Sequence, residues 1–158
     1  WMHTWGRKLV TNDFGHKWYG QMTLPRILKK NENGLHQVLP TSVLEAFKDI
    51  EIGQSIKGPS KFSLKLEDSL ELRLGSDQDY LQFGYDKESQ EVYIDRGHID
   101  IQQTGEEEWS TIRRSVTVEA EELLIMIDTN CVEIFVNNGQ EVLTSTYYVE
   151  GQRTLNTL

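Results

Sequence analysis

The sequence predicts an all-β fold, a two-sheet antiparallel β-sandwich preceded by one short helix. Three observations carry this. Residues 132–148 read VEIFVNNGQEVLTSTYY. Val132, Ile134 and Val136 share one face of an extended strand, and Glu133 and Phe135 share the other. Asn137, Asn138 and Gly139 supply a turn before Val142, Thr144 and Thr146 resume the alternation. Asn-Gly between alternating β-formers is the strongest local hairpin signal, because a tight I′ turn needs positive φ at both central residues. From residue 60 onward, short alternating runs recur at about 8–12-residue spacing, the pattern of a sandwich. Only residues 41–50 have helical spacing.

Taken in order, residues 1–40 stand apart in composition, holding Trp1, Trp5 and Trp18, three of the four tryptophans. Met22 to Lys30 alternates as a strand, with Pro25 confined to an edge or bulge because it has no N–H to donate. Asn31 to Gly34 is a turn, and Leu35 to Leu39 a return strand closed by Pro40. In TSVLEAFKDI (41–50), Ser42 and Glu45 have capping-box spacing, and Val43, Leu44 and Phe47 form one apolar stripe. Gly53, Gly58 and Pro59 end this connector. Strands follow at Phe62–Leu64–Leu66, Leu70–Leu72–Leu74, Leu81–Phe83–Tyr85 and Val92–Ile94, with a turn from Asp86 to Ser89. Residues 96–111 are a polar loop containing Glu106, Glu107 and Glu108 before Trp109. Strands resume at 116–118 and 123–127, then the Asn-Gly hairpin.

A chain of 158 residues is expected to form one domain, or one domain with a piece of another. It can bury about 68–70% of its unfolded surface without disulfide staples. The net charge of −9 is spread along the chain and argues against nucleic acid or an anionic membrane as partner, since both select clustered Lys and Arg. Cys131 is the single cysteine, so no internal disulfide forms, and its apolar neighbours predict a buried thiol. No apolar run approaches the ~18 residues of a membrane span. Trp1 rather than Met at the start predicts a piece of a longer protein.

Chemistry-bearing constellations are sparse. His3, His16, His36 and His98 lack metal-ligand spacing, and no glycine-rich phosphate loop occurs. The acidic run lacks the spaced oxygens and turn glycine of a Ca²⁺ loop. No catalytic residue, no metal and no cofactor is assigned. Trp109, Tyr147 and Tyr148 have two readings, packing between layers or a sugar-stacking platform.

Four segments in order resemble glycoside hydrolase family 32, the sucrose-6-phosphate hydrolases, invertases (β-fructofuranosidases) and levanases. They are WMHTW (1–5) with WYGQMTLPR (18–26), LHQVLP (35–40), YDKESQEVYIDR (85–96) and IDTNCVEIFVNNGQEVLTS (127–145). The first is most similar to bacterial, intracellular members. The resemblance implies a five-bladed β-propeller joined by a short linker to a C-terminal β-sandwich. On that alignment residues 1–40 are the end of the last propeller blade, 41–59 the linker and 60–158 the sandwich, its last strand or so falling after Leu158.

The family cleaves terminal β-fructosides of sucrose, sucrose 6-phosphate or fructans with retention. Its Asp nucleophile, its Asp in an Arg-Asp-Pro motif and its Glu acid/base lie earlier in the propeller, and none of those motifs is present here. Asp95-Arg96 is not Arg-Asp-Pro, and Glu133 sits in the sandwich hairpin. The resemblance therefore implies a non-catalytic structural module of a hydrolase. It places Trp5 in the substrate pocket beside the reacting sugar, with packing inside a blade as the competing reading. Arg26 has two readings, a pair across the module interface or a surface side chain. Expected partners are a fructose-containing saccharide, the propeller and a second copy of the chain, the last through an apolar flank that a propeller would cover. An independent carbohydrate-binding, lectin-like sandwich is the alternative. The lone cysteine and absence of Asn-x-Ser/Thr sequons point to a bacterial cytoplasm, with secretion as the alternative.

Overall fold

The computed structural model describes residues 21–32, 34–100 and 111–158. A two-stranded ribbon comes first: β1 (Ile27–Asn31) and β2 (Gly34–Val38) pair antiparallel from Ile27↔Val38 to Asn31↔Gly34. Helix α1 (Thr41–Ala46) follows, then two short strands, β3 (Lys48–Asp49) and β4 (Ser55–Ile56). Next come β5 (Ser60–Lys65), β6 (Leu70–Gly75), β7 (Tyr80–Asp86) and β8 (Glu91–Asp95). The chain ends with β9 (Ile112–Arg114), β10 (Glu122–Ile127), β11 (Cys131–Val136), β12 (Glu141–Thr146) and β13 (Arg153–Thr157).

Two sheets form the sandwich. One has the order β12-β11-β10-β5-β3, the other β4-β13-β6-β7-β8-β9. Among the strands β1 to β13 every pairing is antiparallel except β3 with β5. The connector around α1 therefore adds an edge strand to each sheet. Period-2 alternation directs Leu72, Leu74, Leu81, Phe83, Val92 and Ile94 inward against Leu123, Ile125, Ile127, Val132 and Ile134, all buried in one apolar core.

The five-stranded sheet also has a covered outer face. There Met126 and Phe135 pack with Leu39 and Phe47, and with Leu24, Val43, Leu44, Leu124 and Val142 around them. All six residues of β11 are buried, because this strand faces a core on each side.

Several local expectations are corrected. Residues 22–26 precede β1 rather than forming a strand, so Pro25 lies outside the ladder. No capping box forms between Ser42 and Glu45. The helix is capped at Pro40, whose carbonyl accepts from the Val43 and Leu44 N–H groups, so Ser42 already lies inside the first turn. At the other end, the Lys61 ammonium donates to the carbonyls of Leu44 (2.9 Å) and Phe47 (2.8 Å). The strand expected at 116–118 is a loop, and the pairing falls instead at β9. Ser115 ends that ladder: its hydroxyl, in place of a backbone carbonyl, accepts from the Val92 N–H at 3.0 Å. Val118 still reaches the core, while Val116 is exposed. In the hairpin the positive-φ residues are Asn137 (46°), Asn138 (55°) and Gly139 (84°). The tight turn is thus centred on Asn137-Asn138, not on Asn-Gly.

Candidate functional site

The most heavily built polar cluster lies on the outer face of the five-stranded sheet, where the segment before β1 meets β11. Glu133 occupies the middle of β11 and is 1% exposed. Its cross-strand neighbour is Thr144 on β12. One Glu133 oxygen accepts the backbone N–H of Leu24 at 2.6 Å. The other accepts Nη2 of Arg26 at 2.5 Å, and the Thr144 hydroxyl lies 3.4 Å from it. Arg26 also donates to Thr144 Oγ1 and to the Gln37 side-chain carbonyl on β2, each at 2.8 Å. Its guanidinium sits 5.4 Å from the centre of the Phe135 ring, a cation–π distance. The pair joins residues 107 apart in the chain.

The hairpin turn completes the junction. Gly139 C=O accepts the Gln37 N–H at 2.8 Å. A Cβ on Gly139 would fall 2.1 Å from the Gln37 carbonyl oxygen, so β2 and the turn touch backbone to backbone. Asn137 ties the same turn to the approach to β10: its side-chain oxygen accepts from Glu121 N–H (2.9 Å) and its amide donates to Glu119 C=O (2.8 Å).

Beside the ion pair is a cavity of about 250 Å³ lined by Met22, Phe47, Met126, Asp128, Cys131 and Glu133, among others. Cys131 is buried, and desolvation, aided by Glu133 and Asp128, pushes its thiol far above the usual range. A thiol so held is a packing group rather than a nucleophile.

This cluster is suited to fastening, not to bond cleavage. Both Glu133 oxygens accept from fixed donors, so the carboxylate is not presented to a substrate. A retaining glycosidase needs two carboxyls about 5–5.5 Å apart across a sugar site, one of them free to attack. Among the described residues no group of three His, Cys, Asp or Glu side chains is placed to hold a metal ion. No helix among them is long and apolar enough to cross a membrane.

Trp5, the residue expected in a substrate pocket, lies outside the described residues, as do His3, His16, Trp109 and the Glu106–Glu107–Glu108 run. Tyr147 and Tyr148 are buried at 1% and 4% exposure and pack instead of forming a platform. The Tyr147 hydroxyl donates to Asp128 C=O (2.9 Å) and accepts from Arg153 (2.9 Å), and burial pushes its pKa up to about 12. Arg26 is partly buried and paired with Glu133 on β11. Its partner Glu133 was missed because period-2 alternation sends that side chain outward. The available signal was an acid beside Phe135 on a face that also carries the apolar Leu124, Met126 and Val142.

Known proteins agree with this architecture. The sequence model described as "Glycosyl hydrolases family 32 C terminal" matches residues 20–157. Invertase from Kluyveromyces lactis is 31% identical over 76 residues, covering 44% of this chain and 12% of the invertase. Among solved structures, sucrose-6-phosphate hydrolase from Lactobacillus gasseri superposes with TM-score 0.61 at 17% identity, over 82% of this chain and 30% of that one. Exo-inulinase from Aspergillus awamori gives TM-score 0.57 at 17% identity, over 89% and 33%. A β-fructofuranosidase from Bombyx mori gives 0.62 at 14%, over 89% and 31%. At these identities the structural likeness is one of fold, and the chain spans a third or less of each relative's length. With the family's C-terminal model matched along nearly all of its length, the chain belongs to glycosyl hydrolase family 32.

Proposed function

We propose that the chain is the non-catalytic C-terminal module of a β-fructosidase, and that its work is to hold a catalytic propeller in place. On this reading residues 1–40 end the last propeller blade, 41–59 link it, and 60–158 form the sandwich. The observation that carries it is the Arg26–Glu133 junction, where the segment ahead of β1 is fastened to the middle of β11. The exposed apolar side chains of Met22, Ile27, Leu28 and Leu35 agree with a ribbon that another layer of sheet would cover.

In the complete enzyme a propeller carboxylate attacks the anomeric carbon of the terminal fructose while a protonated Glu releases the leaving sugar. Water then hydrolyses the fructosyl-enzyme. From this chain only Trp5 takes part, packing its ring against the furanose. The substrate is a fructose-containing saccharide: sucrose, its 6-phosphate or a fructan.

The test has two arms. The 158-residue chain, assayed against sucrose, sucrose 6-phosphate and levan, is expected to release no fructose. In the complete enzyme, Trp5→Ala is expected to lower kcat/KM with an unchanged melting temperature. Hydrolysis by the chain alone would overturn the non-catalytic reading, and a collapse of stability with intact kinetics would move Trp5 to the blade core.

A further inference from the structure

The outer face of the six-stranded sheet carries a second constructed feature. Leu72, Phe83 and Ile94 point into the core, so their strand neighbours point out. Register places Glu71, Gly84, Tyr93 and Arg114 side by side across β6 to β9. The next row holds Arg73, Gln82, Asp95 and Ile112. Between them runs a groove of about 500 Å³ lined by Glu71, Gln82, Tyr93, Asp95, Ile112 and Arg114, among others.

Its shape is set by backbone. A Cβ on Gly84 would fall 2.0 Å from the Leu70 carbonyl oxygen, so no side chain can stand there. Beside Tyr93, then, β7 contributes no side chain, and the Glu71 carboxylate reaches the phenol from that side, while Arg114 on β9 lies 5.9 Å from the ring centre. The polar groups converge on the phenol. Gln82 donates to its hydroxyl at 3.4 Å, and its pKa is raised by desolvation first, with Glu71 and Asp95 adding to the shift.

We infer that this groove binds a neutral saccharide, seated against Tyr93 over Gly84 and hydrogen-bonded by Glu71, Gln82 and Asp95. Sugars present an apolar ring face and a rim of hydroxyls, which an aromatic floor edged by carboxylates and an amide matches. The charge balance selects against anions. Glu71, Asp86 and Asp95 line the groove against Arg114 alone, and Arg114 is already engaged by Glu91 at 3.4 Å. A phosphorylated sugar would meet like charge.

The inference rests on the proposed function only for the choice of a fructan probe. The 158-residue chain is run through native gels containing inulin or, separately, laminarin, a β-glucan. Retardation by inulin is expected, with Tyr93→Ala binding at least about tenfold more weakly (about 1.4 kcal/mol). Since Tyr93→Ala removes packing, amide chemical shifts of the unaltered chain are followed on adding inulin oligosaccharides. The largest changes are expected at Gly84, Tyr93 and Asp95. Retention by laminarin alone, with the same shifts, would uphold the groove while counting against a fructosidase. No retention by either polymer, or shifts confined to other faces, would overturn the inference.

Discussion

Replacing Glu133 by Ala tests the junction most directly. The carboxylate is 1% exposed and the Arg26 side chain 16%. Truncation leaves the guanidinium without its counter-charge in a largely desolvated site, and the Leu24 N–H without its 2.6 Å acceptor. Removing one partner of a buried ion pair costs about 3–5 kcal/mol. For a domain of this length each kcal/mol moves Tm by roughly 2–4 °C, so a fall of roughly 6–20 °C is expected. Glu133→Gln keeps the shape and one acceptor oxygen and should cost less, about 1.5–3 kcal/mol, the worth of a hydrogen bond to a charged group. The assay is urea unfolding followed by circular dichroism, run as a cycle with Arg26→Ala. Because the two residues touch, the double variant should lie well short of the summed singles. Limited proteolysis adds a local readout, since cleavage in residues 21–40 should accelerate in both single variants. A Glu133→Ala loss below about 1 kcal/mol, or strict additivity of the cycle, would refute the claim that this pair fastens the segment to the sheet.

Two further outcomes follow from the same face. Gly139→Ala should destabilise by roughly 2 kcal/mol or more, from left-handed backbone strain together with the 2.1 Å approach to Gln37; Asn138→Gly, at a φ of 55°, should be neutral or better. Equal urea midpoints for Gly139→Ala and the parent chain would remove the turn from the junction. Cys131 should make stability fall with pH: the unfolded thiol ionises near pH 9 while the folded one keeps its proton, so the unfolded state binds fewer protons and the slope is negative. The expected loss is about 1 kcal/mol between pH 9 and 10, steepening towards about 1.4 kcal/mol per unit above that, and Cys131→Ala should remove this contribution and leave the smaller one from Tyr147.

Strand identity was largely legible because alternation is a property of the strand itself. Leu72, Phe83, Val92, Ile125 and Ile134 are all core residues, as their periodicity indicates. What failed depended on neighbours not visible in a local window. Val116 and Val118 look like a strand, yet the edge of the six-stranded sheet was already taken by β9, whose Ile112-Arg113-Arg114 reads as polar. Ser42 and Glu45 have the right spacing for a capping box, but Pro40 starts the helix two residues earlier. The ion pair was legible only in part. A pair was one of the two readings of Arg26, but finding its partner required knowing that the outer face of β11 is covered.

That covering explains why the strongest β signal in the chain carries an acid at its centre. β11 is buried on both faces, so apolar burial alone distinguishes its two faces weakly. A one-residue slip against β10 or β12 would send every side chain to the opposite face. Phe135 and Cys131 could be accommodated in the inner core, and Ile134 under the outer cover. Glu133 could not: in the inner core it would face Ile125, Leu143 and their neighbours, away from Arg26 and the Leu24 N–H, as an uncompensated buried charge. The one residue that looks least suited to the strand thus fixes its register. The same contact that sets the register also fastens residues 21–38 to the sandwich, so a slipped hairpin and a detached leading segment are a single fault rather than two.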